Sequence, residues 1–274
     1  MIGFFDSGYG GLTVFQAAAE AFPDHDLVYL GDHANAPYGE KSPREITRLT
    51  RAGSQALLDL GCDVVILACN TAATTALRRM QHEGIHGVLG IAVPTIEAIT
   101  GQDWSDRYSL TPITPATVGL FATPGTVGSG YYGAEILLRA PDIRLMVQPC
   151  PGLAGMIETG ASEAEMDAAI AGFCAGLLAQ GTPDRVVLGC THYPLVADLF
   201  ARHLPEGIPI IDQPGETVRR LTPYLTRHNI TPGSGKRLFL TSGDPAEARR
   251  GTERLLGEVL PFEALEPKPI TVHL

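Results

Sequence analysis

The chain has 274 residues, 45% hydrophobic and 18% charged, with a formal net charge of −10. That length allows one large domain or two of ordinary size, and the composition excludes global disorder. The acidic balance argues against a protein that coats nucleic acid, and no uncharged apolar run reaches the roughly 18 residues that span a bilayer.

The opening, MIGFFDSGYGG, has no basic n-region and no small-residue cleavage site, so no signal peptide is expected in it. Within it, IGFFDSG is a buried strand that ends in a Gly-rich turn, and LTVFQAAAEAF follows with helical spacing. DLVYLGD is the next strand. SPREITRLTRAGSQALLDLG is a helix with Ser42 as N-cap, Pro43 in its first turn and Gly61 closing it. Then come the strand DVVILAC, the helix TAATTALRRMQHEG and the strand GVLGIAV. Short apolar strands alternating with helices predict a parallel sheet covered on both faces.

Residues 101–116 break the periodicity with two Thr-Pro pairs and read as a linker. After them the opening returns: VGLFATPGTVGSGYYGAEIL echoes IGFFDSGYGGLTVFQAAAEA. RVVLGCTHYP likewise echoes VVILACNTA, at nearly the same offset. Two echoes at one offset predict an internal duplication. From about Ile210 a strand, a helix, a second strand and a second helix follow, and the shorter first half is their expected host. The resulting organisation is one lobe from 1–97 plus 210–274, a second lobe from 98–209, and a site in the cleft between them.

In parallel sheets ligands bind beyond the carboxyl ends of the strands, where Cys69 and Cys190 both fall, each just before an expected helix start. A helix N-terminus draws a thiol toward thiolate. Cys62, Cys150 and Cys174 lack this context and read as core residues. Five cysteines without close pairing suit a reducing cytoplasm. Two thiols on related lobes suit a two-base proton exchanger: one removes a proton from a carbon and the other supplies one to the opposite face. Asp6 and His192 are placed to tune them. Two other patterns lack their context. HEGIH, residues 82–86, matches a zinc pattern but is interrupted by Gly84 at a helix-to-strand turn. GYGGLT follows a strand but has Thr13 where a dinucleotide loop needs its third glycine.

The motifs FDSGYGGLTV, GDHANAPYGEKS, ACNTAAT, ATPGTVGSGYY, LGCTHYPLV and SGDPAEA, in this order along nearly the whole chain, resemble the glutamate racemases. These are cofactor-independent amino-acid racemases that supply D-glutamate for bacterial cell walls. The resemblance implies an α/β fold of two pseudo-twofold-related lobes, each a mainly parallel sheet flanked by helices. It implies Cys69 and Cys190 as the acid/bases, with Asp6, Glu158 and His192 as auxiliary ionisable residues. It also implies that Ser7, Pro37, Tyr38, Gly39, Asn70, Thr71, Thr123, Thr126 and Thr191 line the substrate site, with Asp6 and His192 among them. No cofactor and no metal are implied. The partner is a small amino acid, with no nucleic acid and no membrane, and a homodimer is compatible with the pattern. Where many relatives read something like GDTARVPYG, this chain places His33 and Asn35, and the stretch 150–160 carries smaller residues before Glu158. A racemase of aspartate or another amino acid, a one-thiol lyase or hydrolase, and a binding protein on the same fold are the alternative readings.

Overall fold

The computed structural model describes residues 1–103 and 115–265. The first ten elements are β1 (Ile2–Asp6), α1 (Leu12–Ala21), β2 (Leu27–Gly31), α2 (Pro43–Asp59), β3 (Val64–Leu67), α3 (Asn70–His82), β4 (Val88–Gly90), α4 (Ala92–Thr100), β5 (Ala116–Ala122) and α5 (Pro124–Gly128). There follow α6 (Tyr131–Arg139), β6 (Ile143–Pro149), α7 (Leu153–Thr159), α8 (Glu163–Leu178), β7 (Arg185–Gly189), α9 (Ala197–His203) and β8 (Ile210–Ile211). The chain closes with α10 (Gln213–Arg227), β9 (Arg237–Thr241), α11 (Pro245–Leu256) and β10 (Phe262–Ala264).

These strands form two parallel sheets, one in the order β10-β9-β2-β1-β3-β4 and one in the order β6-β5-β7-β8. The order β2-β1-β3-β4 recurs as β6-β5-β7-β8, so the echo in the sequence is an echo in topology. Both sheets are flanked by helices in an α/β architecture. A parallel strand covered on both faces has no solvent side, which is why β1, β2 and β3 are apolar without alternation and buried throughout. On one face of the larger sheet Phe4, Phe15, Tyr29, Phe239 and Phe262 pack together, and on the other Phe5, Leu30, Val65, Leu67 and Met80 do so. Ser42 caps α2 by accepting the Glu45 N–H at 3.3 Å, and Pro43 stands in its first turn. Among the described residues no helix is long and apolar enough to cross a membrane.

Three local expectations need correction. GVLGIAV is a strand only over Val88–Gly90, and α4 begins at Ala92. Gly90 already lies against Ala73 and Leu77, and Pro94 falls in the first turn of α4, where its missing N–H is harmless. Cys190 is not followed directly by an α-helix: a 3₁₀ turn, Tyr193–Val196, containing Pro194, comes before α9. Finally, Ile210 and Ile211 pair with β7 in the smaller sheet, beyond the boundary expected at 209. In the same way α4 sends Ile96 and Ile99 into one core with Val118 and Leu120 of β5. The later C-terminal units do join the larger sheet, β9 beside β2 and β10 beside β9. The expected linker falls mostly outside the described residues.

Helix α2 crosses the sheet at Gly53, where a Cβ would stand 2.0 Å from the Phe5 ring. Gly53→Ala is therefore expected to cost about 1–3 kcal/mol by overpacking. Gly172, inside α8 with open space around it, is the control: Gly172→Ala is expected to add about 0.5–1 kcal/mol. Urea unfolding of both variants checks the opposite signs.

Candidate active site

The carboxyl ends of β1, β3, β5 and β7 converge on one cleft. Asp6, the last residue of β1, is fully buried. It accepts the Gly8 N–H at 2.8 Å and the Thr191 hydroxyl at 3.2 Å, so a carboxylate from the larger sheet holds the residue next to Cys190. Ser7, the next residue, lies 3.6 Å from the Cys69 sulfur. The end of β1 thus meets the Cys69 thiol directly and Cys190 through its neighbour Thr191, and both cysteines are 6% exposed.

The glycines of DSGYGG have a spatial reason. A Cβ on Gly8 would stand 2.0 Å from Glu158 Oε1, one on Gly10 2.6 Å from His192 Nδ1, and one on Gly11 2.6 Å from the Asp6 Cβ. The turn after β1 is bare because the second lobe's acid and imidazole dock onto it. There the Tyr9 N–H donates to Glu158 Oε1 at 3.3 Å, and His192 Nε2 donates to the same oxygen at 2.7 Å. The other imidazole nitrogen, Nδ1, lies 3.6 Å from the Cys190 sulfur. A relay Cys190–His192–Glu158 therefore runs along one wall of the cleft. Two Arg254 contacts to the Glu158 carbonyl, at 2.7 and 3.2 Å, hold the end of α7 against α11.

On the opposite wall Cys69 occupies the N-cap position of α3, and its sulfur accepts the Ala72 N–H at 3.4 Å. The Thr71 hydroxyl meets those of Thr123 at 2.9 Å and Thr126 at 3.3 Å, which are 3.1 Å from each other. The Gly125 N–H donates to the Gly39 carbonyl at 2.8 Å, closing the loop at 37–39 onto α5. The structure thus brings Asp6, Ser7, Gly39, Cys69, Thr71, Thr123, Thr126, Glu158, Cys190, Thr191 and His192 together. Pro37 stands exposed on the loop. Tyr38 turns inward instead: it is buried, and its hydroxyl donates to Asp32 at 2.5 Å. The Asn70 side chain is bonded to Gln213 and Tyr132.

Asp32 is a supporting residue that the sequence reading passed over. Its carboxylate also accepts from Asn35 Nδ2 at 2.9 Å and Ser242 Oγ at 2.5 Å, pinning the loop that carries Gly39. Its signal was present, as an acid at the end of β2 inside GDHANAPYG. His33 packs over Tyr9 with ring centroids 4.2 Å apart, and burial lowers its pKa to about 4. It is a neutral packing group.

The electrostatics overturn one expectation. Burial pushes the Cys69 thiol up to about 12, with Asp6 adding to the rise and the Ala72 and Ser7 hydrogen bonds opposing it. The start of α3 does not outweigh desolvation, so the resting group is a thiol. Burial also raises Asp6, against the pull of His192. For His192 burial opposes the charge, but Cys190 and Glu158 outweigh it and hold the imidazole well above its ordinary pKa. Glu158 is desolvated too, yet the His192 hydrogen bond and charge leave it below the usual carboxylate range.

The sequence profile of Asp/Glu/hydantoin racemases matches residues 13–221. The chain belongs to this family. It is 47% identical to a glutamate racemase of Phenylobacterium zucineum, over 96% of this chain and 99% of that protein. Among solved structures it superposes on a glutamate racemase isoform of Bacillus anthracis with a TM-score of 0.85 at 27% identity, covering 97% of both chains. A glutamate racemase of Francisella tularensis in complex with D-glutamate gives 0.83 at 26% identity, again over 97% of both chains.

The His192–Glu158 pair has a defined pH window. His192 is raised in the fold, so its part of the stabilisation is present below the unfolded imidazole pKa and lost as pH rises through the folded value. Glu158 is lowered, so its part is present above the unfolded carboxylate pKa and lost as pH falls through the folded value. The stability difference between wild type and Glu158→Gln is expected to plateau between these limits and shrink outside them. Removing the carboxylate is also expected to lower the His192 pKa in an NMR titration; an unchanged value would contradict the pairing.

Proposed function

We propose that the chain interconverts L- and D-glutamate by a two-base transfer in which Cys69 and Cys190 work on opposite faces of the α-carbon. The observation that carries this reading is that two nearly dry thiols, one from each sheet, are tied to the same end of β1 through Ser7, Asp6 and Thr191. A thiolate takes the α-proton, and the electron pair stays on the carbon and spreads into the carboxylate. The opposite thiol returns a proton to the other face of that pair. One thiolate has become a thiol and one thiol a thiolate, so the site is set for the reverse reaction.

A thiol of pKa about 12 is roughly one part in ten thousand thiolate at pH 8. The substrate supplies the missing bias. Its α-ammonium, drawn to Asp6, offsets the charge that adds to the burial-driven rise in Cys69, while Thr71, Thr123, Thr126 and the first N–H groups of α3 suit a carboxylate. On the other side His192, held charged by Glu158, stands beside the Cys190 sulfur with a proton to give. The two directions therefore use unlike partners, and the resemblance to the glutamate racemases implies that Cys69 takes the proton of the D-enantiomer and Cys190 that of the L-enantiomer. Five free thiols fit the cytoplasm, where D-glutamate would enter cell-wall synthesis.

Purified protein in deuterated water with L-glutamate is expected to lose optical rotation while deuterium enters the α-position. Cys69→Ser and Cys190→Ser should each lower racemisation by about 10²–10⁴-fold, the range for a removed acid–base group. Full activity in either variant, or racemisation of aspartate in place of glutamate, would overturn the reading.

A further inference from the structure

The buried amide of Gln213 has no part in the chemistry above. It is the first residue of α10, directly after β8, and is 2% exposed. Its Nε2 donates one proton to Thr95 Oγ1 at 2.8 Å and shares the other between the Tyr132 hydroxyl at 3.2 Å and Asn70 Oδ1 at 3.3 Å. Its Oε1 accepts from Asn70 Nδ2 at 2.9 Å. Tyr132 completes the ring by donating to Asn70 Oδ1 at 2.7 Å.

The orientation of this ring is forced. The Thr95 hydroxyl spends its single proton on the Ile91 carbonyl, at 2.8 Å, so toward Gln213 it accepts. The Gln213 atom facing it is therefore the nitrogen, which turns Oε1 toward Asn70. Asn70 must then present Nδ2 to Gln213 and Oδ1 to Tyr132. Reversing the Asn70 amide would set one NH₂ against another in a site without water exposure. The ring also joins both sides of the molecule: Asn70 opens α3 beside Cys69, Tyr132 lies on α6, Thr95 on α4, and Gln213 on the crossover from the smaller sheet to α10.

We propose that Gln213 is a positioning residue for substrate binding, fixing the Asn70 side chain in one orientation and with it the first turn of α3 that carries Thr71 beside Cys69. This rests on the glutamate reading above. Gln213 touches no reacting atom, so its effect falls on how firmly that turn holds the ground state and the transition state alike.

The test is steady-state racemisation of glutamate by the full chain, with Tm measured alongside. In Gln213→Leu, KM is expected to rise about tenfold while kcat changes less than about threefold, the pattern for lost uniform binding. Tyr132→Phe should raise KM less, and the double variant should be no worse than Gln213→Leu alone, because both act through Asn70. Should Gln213→Leu fail to fold, Thr95→Val removes only the anchor that orients the amide and is expected to raise KM in the same direction. A lowered Tm with KM unchanged, or KM effects of Gln213→Leu and Tyr132→Phe that multiply independently, would overturn the assignment. Wild-type protein that does not racemise glutamate would instead overturn the functional reading itself.

Discussion

A carboxylate buried without water needs partners, and Asp6 draws its partners from both halves of the molecule. Its bonds to the Gly8 N–H and the Thr191 hydroxyl fix the turn after β1 and hold the end of β7 against it. The other features of the cleft follow from that placement. The turn is bare of side chains at residues 8 and 10 because the His192–Glu158 pair lies on it, and at residue 11 because Asp6 itself fills the space. Cys69 feels the Asp6 charge as a rise in pKa, and His192 in turn offsets the rise in Asp6 itself. One buried carboxyl group therefore joins the two halves of the cleft, and the two thiols sit beside unlike partners.

That inequality matters chemically. A strong base is needed to take an α-proton, and desolvation makes Cys69 one whenever it ionises. The same desolvation keeps it protonated in the empty cleft. Cys190, by contrast, has a charged imidazole 3.6 Å away, backed by Glu158.

Much of this was legible in the sequence because it is local. Apolar runs without alternation read as parallel strands, Ser42-Pro43 as a helix start, and the twin cysteine motifs as a duplicated strand end. What escaped reading depends on distant partners. The turn at Gly8–Gly11 looks like a weak nucleotide loop until Glu158 and His192 are placed on it. The start of α3 is visible in the sequence around Cys69 but its burial is not, and for Cys190 the α-helix begins only after a 3₁₀ turn. Gln213 lies in no motif, and Tyr132 only closes ATPGTVGSGYY with nothing local to mark its bond: their role exists only because α6 and α10 meet beside Asn70. Tyr38 kept its motif but spends its hydroxyl on Asp32, in the core.

The central claim is that two thiols serve opposite faces of one carbon, and the most direct measurement separates the two half-reactions. A β-chloro analogue of the substrate eliminates chloride once a single base has taken its α-proton, so each one-thiol variant reports its surviving base. Cys69→Ser is predicted to eliminate chloride from the L-analogue, using Cys190, and Cys190→Ser from the D-analogue, using Cys69. The same enantiomer preference in both variants would contradict the account.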